Sequence, residues 1–223
     1  MNEYSKRSIV LSVMGSFIIT TLVVLLFYLC IINPDTKSTA ADEYNYSSQI
    51  YHDNIELMYE GARAELVENI DLVIRECAPS TCINGLAILR GCEKYDIDLF
   101  FVLAQGQLES HFGTKGMAAK TNSVFNVFAY DGHNYDKINK NGKYSHPDHS
   151  IEPYLQLLAN DYMSNGKTEQ DLMVEFTNVN GNRYASSESY ETSLVNIYNT
   201  YINNETLMKA YQEYNKYKIL SGN

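Results

Sequence analysis

DLFFVLAQGQLESHFGTKGMAAKTNSVFNVFAYDG, residues 98–132, is the stretch on which the reading of this chain turns. It opens as an apolar helix in which Leu99, Phe100, Val102, Leu103 and Leu108 form a broad face to be buried. Asp98 stands where an N-cap belongs, its carboxylate placed to take the free backbone N–H groups of the first turn. Near the far end sits Glu109, followed by the breaker Gly113 and a polar, glycine-containing segment. An isolated glutamate at a helix end is ordinarily solvated and chemically unremarked. A carboxyl at the mouth of an apolar helix differs, because partial burial disfavours the charged form and raises its pKa. A general acid working near neutral pH requires that shift. Position alone leaves Glu109 open to both readings, a solvated helix-end glutamate and a general acid.

Beyond Gly113 the periodicity weakens. Phe125, Val127, Phe128 and Tyr130 alternate loosely around Asn126 and Ala129, and Asp131-Gly132 marks a turn. Asn139 to Gly142 (NKNG) marks another, with Tyr144 beyond it. The pattern predicts a small, irregular β-hairpin lobe between helices, forming the far wall of a substrate cleft.

Leu103-Ala104-Gln105, Leu108-Glu109-Ser110 and Phe112-Gly113 together resemble a signature, AQ-x-x-LES-x-(W/F)-G. It belongs to bacterial endo-β-N-acetylglucosaminidases, the peptidoglycan hydrolases of glycoside hydrolase family seventy-three. Asn122 with Phe125 is similar to the family's N-x-x-F turn. Tyr144 to Tyr154 (YSHPDHSIEPY) resembles its Y-x-S-x-x-x-S-I-x-x-Y approach to the next helix. Tyr184-Ala185, before a Ser-rich helix start, resembles its YA-(T/S)-D-x-x-Y element. The matches fall in the family's order over about residues 84–202.

The resemblance implies a mainly α, lysozyme-like α+β fold, a helical catalytic domain carrying the hairpin lobe. It implies that Glu109 protonates the glycosidic oxygen between N-acetylglucosamine and N-acetylmuramic acid. It makes Tyr184 the active-site tyrosine, close to the acid and orienting water or the substrate's acetamido group. In family members the lobe also carries a second acidic residue, but no Glu lies between Glu109 and Glu152 here. Asp131, Asp136 and Asp148 remain. An inverting glycosidase sets its base roughly 6.5–9.5 Å from the acid. Asp136, in mid-lobe, is the first candidate and Asp131 the second, unless the acetamido group replaces a base altogether. Phe125, Phe128, Tyr130 and Tyr144 are candidate stacking surfaces for sugar rings, each equally suited to a core. Gln105, His111 and Asn126 complete the candidate substrate contacts. His111 replaces the small residue usual in the family, which bears on the shape of the adjoining subsite. His146, Asp148 and His149 (HPDH) admit a zinc reading, but Pro147 and the approach to a helix favour a structural turn. Neither metal nor cofactor is expected.

Outward from this core, residues 9–32 (Ile9 to Ile32) carry no charge and are long enough to span a bilayer as a helix. Lys6 and Arg7 precede the run and Asn33-Pro34-Asp35 ends it, which predicts residues 1–8 in the cytoplasm and the rest outside. Ser38-Thr39-Ala40 resembles a signal-peptide cleavage site, but the apolar run exceeds a signal core, so an uncleaved single-pass anchor is favoured. Residues 33–48 read as a polar linker. Over 49–79, Ile55, Met58, Tyr59, Ala62, Leu66, Ile70, Val73 and Ile74 recur at helical spacing. Glu56, Glu60, Glu65, Glu68 and Asp71 hold the wet side of that helix, a stalk or an element packed on the catalytic domain of residues 80–223. Further helices are predicted over 84–95, 152–163, 169–176, 190–201 and 205–220, with Ser186 or Ser187 capping the fourth. Cys77, Cys82 and Cys92 match no zinc spacing; one disulfide among them or three free thiols both fit an extracytoplasmic location.

Across 223 residues the net charge is −10, with 45% hydrophobic residues, 19 Tyr and no Trp. No basic stripe is visible, which argues against a nucleic-acid partner. An acidic surface is not drawn to an anionic wall either, so glycan binding has to come from a groove and its aromatic residues. Two rival functions fit the same residues. A lytic transglycosylase also uses one Glu after a similar helix and leaves anhydro-muramic ends. A catalytically inactive glycan-binding or assembly component of an envelope-spanning or virion machine fits the missing lobe glutamate.

Overall fold

The computed structural model of the chain describes residues 40–127 and 143–222. It divides into two units, Met1–Asp53 and Asn54–Asn223. The first unit enters the described residues only as the start of helix α1 (Ala40–Cys77), where Gln49 Nε2 donates to Asp53 Oδ1 at 2.9 Å. Ala40, the first described residue, is already helical, inside the stretch expected to be a linker. Nothing between Pro34 and Ser48 is a proline or glycine, and polar composition alone does not break a helix. The anchor expected over residues 9–32 lies outside the described residues. Among those described, no helix is long and apolar enough to cross a membrane.

In the second unit, α1 is a packed element. Ile55, Tyr59, Ala62, Leu66, Ile70, Val73 and Ile74 are buried. Met58, expected on that face, is 50% exposed, because it falls one position to the side of the stripe. Pro79 prevents further helix. Helix α2 (Gly85–Tyr95) is capped by Asn84, whose side chain accepts from the Leu86 N–H at 2.8 Å. Gly85 is needed where α2 meets α1, because a Cβ there would lie 3.0 Å from the Val67 carbonyl and 2.9 Å from Ile70 Cγ2. Ile88 and Leu89 enter the core as expected, while Leu86 is only half-buried. A left-handed Asp96 ends the helix.

Helix α3 (Leu99–Ser110) is the centre of the unit. Asp98 caps it as expected, accepting from the Phe101 N–H at 2.7 Å. Every residue from Leu99 to Gly106 is buried, so the helix is wrapped on all sides and not only on one face. Leu108 is half-buried. It ends with His111 and Phe112 in the left-handed region (φ 46 and 52). Then come the short α4 (Ala118–Thr121), a 3₁₀ turn (Pro147–Ser150) and α5 (Ile151–Leu157). α5 widens into a π turn, Leu158–Tyr162, where a plain helix was expected to continue. After α6 (Glu169–Val174), α7 (Tyr190–Ile202) and α8 (Glu205–Ser221) close the domain. α3 packs most extensively on α7, and α2 on α5. The cap of α7 is Ser189, whose side chain makes no capping bond, rather than Ser186 or Ser187.

The mainly α expectation holds. Residues 128–142, the bulk of the expected hairpin lobe, lie outside the described residues. Ser123 to Val127 is a turn and not a strand. An isolated bridge joins Thr177 to Arg183. Cys77, Cys82 and Cys92 are free thiols, and burial pushes the Cys92 thiol up.

Helices α1, α2 and α8 are joined by an ion pair. Arg63 Nε and Nη2 donate to Glu93 at 2.9 and 2.8 Å, and the Tyr214 hydroxyl adds a bond at 2.9 Å. Burial works against the Glu93 carboxylate, but the Arg63 and Tyr214 bonds outweigh it and hold its pKa below the usual carboxylate range. A carboxyl whose folded value is lowered stabilises fully above its unfolded value, about 4.3, and loses that contribution as pH falls through the folded one. Glu93→Gln is therefore expected to show a smaller drop in thermal midpoint than wild type between about pH 5 and pH 3. Parallel pH dependence in both proteins would remove Glu93 from the acid response.

Candidate active site

The last turn of α3 carries Glu109 to the floor of a cleft of about 310 Å³. Phe125, Asn126 and Val127 line it beside the acid. Leu157, Asp161 and Tyr162 contribute from α5 and its π turn, and Asn178 and Tyr184 from the loop before α7. The π turn adds a residue to the helix and re-aims Asp161 and Tyr162, a distortion that recurs at functional sites.

Burial pushes the Glu109 carboxyl up from the ordinary carboxylate range; hydrogen bonds from Tyr190 and Asn126 offset part of that rise. The Tyr190 hydroxyl donates to Oε1, and Asn126 Nδ2 donates to Oε2 at 3.2 Å. Asn126 is held in the left-handed region (φ 54), and its Nδ2 also reaches the Glu109 backbone carbonyl at 3.2 Å. Its Oδ1 is buried with no hydrogen-bond partner among the described residues. A carboxyl with this surrounding holds its proton at higher pH than usual, yet has donors ready for the charge it acquires on giving the proton away.

The loop that presents Asn126 is fixed by small polar residues. Ser110 Oγ donates to the Val124 carbonyl at 2.6 Å and accepts from the Gly113 N–H at 2.7 Å. Ser123 Oγ donates to the Val127 carbonyl at 2.9 Å, and the Val124 N–H donates to Ser150 Oγ at 3.0 Å. Asn122, left-handed at φ 57, donates through Nδ2 to the Tyr144 carbonyl at 2.8 Å. The N-x-x-F turn is thus a brace for the acid.

The expected site residues divide. Glu109, Asn126 and Tyr184 line the cleft. The Tyr184 hydroxyl does not reach the acid, however; it donates to the Phe125 carbonyl at 3.1 Å, with its ring stacked on Phe176 at 4.5 Å. The tyrosine on Glu109 is Tyr190, overlooked in the sequence although it is the final residue of YASSESY. Gln105 is fully buried and touches no cleft; it lies between Tyr154 and Tyr190. The Phe125 ring is stacked on Tyr154 (3.8 Å, 6°) and 1% exposed, and Tyr144 is 0% exposed, so neither ring is open to a sugar. Both rings fill the interior. His111 serves as the left-handed cap of α3 and is not among the lining residues. Phe128, Tyr130, Asp131 and Asp136 lie outside the described residues. Asp161, Tyr162 and Asn178 were missed, having no motif of their own.

The HPDH turn is built as a corner. The Asn84 N–H donates to Asp148 Oδ1 at 2.9 Å, and His149 Nδ1 pairs with Ser145 Oγ at 2.7 Å. Among the described residues no three His, Cys, Asp or Glu side chains are grouped to hold a metal.

The cleft thus sets a desolvated acid beside tyrosines in a helical domain. Residues 86–203 match the model of the glucosaminidase family, described as mannosyl-glycoprotein endo-beta-N-acetylglucosaminidase. The match covers more than half of the chain, and the chain belongs to that family. It is a glycosidase acting on peptidoglycan. No match to a curated protein was found.

Proposed function

We propose that the chain is an endo-β-N-acetylglucosaminidase that cleaves the β-1,4 bond from N-acetylglucosamine to N-acetylmuramic acid, with Glu109 as general acid. The observation that carries this reading is the Glu109 carboxyl, desolvated, open to the cleft, and supplied with donors on both oxygens. Protonated Glu109 delivers its proton to the glycosidic oxygen as the bond breaks, and Tyr190 and Asn126 take up the carboxylate that forms. Tyr184 walls the cleft and orients the ring or its acetamido group. The opposite face is attacked either by that acetamido group or by a water held by a carboxylate. Asp136 and Asp131 remain candidates for that carboxylate. Asp161 joins them as the other acidic residue lining the cleft among the described residues. The apolar, uncharged run 9–32 would tether this domain on the outer face of the membrane, close to its polymer.

Mass spectrometry of purified peptidoglycan digested with the full-length chain tests the bond assignment. Fragments ending in reducing N-acetylglucosamine are expected. Anhydro-muramic ends would instead make the chain a lytic transglycosylase, and binding without cleavage would make it an inactive glycan-binding component.

A further inference from the structure

Behind Glu109 three polar side chains meet in the interior, where apolar ones would leave nothing to satisfy. Gln105 and Tyr154 are fully buried, and Tyr190 is 9% exposed. The Tyr154 hydroxyl donates to Gln105 Oε1 at 2.5 Å, Gln105 Nε2 donates to the Tyr190 oxygen at 2.7 Å, and the Tyr190 hydroxyl donates to Glu109 Oε1. With the amide oxygen accepting from Tyr154, the NH₂ group faces Tyr190. Tyr190, already accepting, is left to turn its proton on the carboxylate. Every donor points the same way, and the series ends on the acid.

We propose that Tyr154, Gln105 and Tyr190 form a positioning relay that sets how tightly Glu109 holds its proton. Tyr190 acts on the carboxylate directly, and the other two act through it. This rests on the reading of Glu109 as the general acid. In a dry interior each bond polarises the next, so an acceptor bond from Gln105 makes the Tyr190 hydroxyl a stronger donor. As the proton leaves Glu109, negative charge grows on the oxygen that the relay faces, and donors already in place need no reorganisation. Stability alone does not require such a series, since matched apolar side chains can replace a buried hydrogen-bonded pair at little cost. The other groups facing Glu109 are accounted for. Asn126 serves the second oxygen, the Tyr184 hydroxyl is committed to the Phe125 carbonyl, and Asp161 and Tyr162 line the cleft without bonding the acid. On its own helix end, His111 follows two positions later.

The test reads Glu109 directly. In the full-length chain labelled with ¹³C-glutamate, the Glu109 carboxyl resonance is the one lost in Glu109→Gln, and it is titrated in two further variants. In Tyr190→Phe its midpoint is expected to rise by about one unit or more, because a donor to the charged form is gone. The basic limb of the pH–rate profile should rise with it, and kcat should fall about tenfold or more with KM little changed. In Tyr154→Phe/Gln105→Met, which removes a buried pair together, the same shifts are expected in smaller measure. Folded variants whose Glu109 midpoints stay at the wild-type value overturn the relay, and if Tyr190→Phe does not fold the double variant decides alone. A midpoint that moves while the pH–rate profile does not supports the relay and overturns Glu109 as the acid.

Discussion

Glu109→Gln is expected to lower peptidoglycan cleavage by about 10³-fold while leaving the fold in place, since a positioned general acid supplies about 10²- to 10⁴-fold. Glutamine keeps the length and volume of the side chain. Its amide oxygen can still accept from Tyr190, but its nitrogen meets Asn126 Nδ2, donor against donor, so one contact at 3.2 Å is lost. That loss is modest next to the missing proton. Dye release from labelled cell walls, read beside thermal unfolding by circular dichroism, separates the two effects. Lysis at the wild-type rate from a folded Glu109→Gln chain removes the acid assignment. The wild-type pH profile supplies a second check with a definite sign. Burial raises the Glu109 pKa, so the active, protonated form persists above the ordinary carboxylate value of about 4.3 and is lost as pH rises through the raised one.

Which parts of this site the residues announced follows from what each signal measures. Hydrophobic patterning reports burial, and a helix apolar on nearly every side had to sit at the centre, so α3 and the acid at its end were readable. Patterning does not report the direction of a ring on a loop. Residue type leaves Phe125 and Tyr144 equally suited to stack on a sugar or to fill a core; the structure buries both, the first against Tyr154. Gln105 misled in the opposite sense. A glutamine beside an active-site motif suggests the cleft, but here it is wholly interior, satisfied by two tyrosines from α5 and α7 that lie 49 and 85 positions away along the chain. No local window contains that information. The exchange of Tyr184 for Tyr190 has the same origin. Both belong to one short element, and the three-dimensional path of the chain from the loop into α7 brings the Tyr190 hydroxyl, and not that of Tyr184, to the acid.

Phe176→Ala is expected to cost about 3–5 kcal/mol and to disable the site even where the chain remains folded. Phe176 is 0% exposed. Its ring is stacked on Tyr184 at 4.5 Å and meets Tyr162 edge-on at 5.2 Å, Phe101 of α3 at 5.8 Å and Tyr190 at 6.1 Å. The backbone is engaged too: the Tyr184 N–H donates to the Phe176 carbonyl at 2.8 Å, and the Phe176 N–H to Glu191 at 3.1 Å. One side chain thus supports two cleft walls, Tyr162 and Tyr184, and the tyrosine on the acid. Truncation removes the dispersion contacts of the ring and leaves a void that close-packed neighbours fill only by moving. At about 2–4 °C per kcal/mol for a domain of this size, the thermal midpoint should fall by roughly 10 °C or somewhat more. Phe176→Leu, which keeps much of the volume but not the flat face, should lose less stability. It should still lose activity, because Tyr184 and Tyr162 are aligned by a ring and not by bulk. Wild-type turnover from Phe176→Leu would mean that the cluster only fills space, and that the placement of the cleft walls comes from the backbone bonds alone.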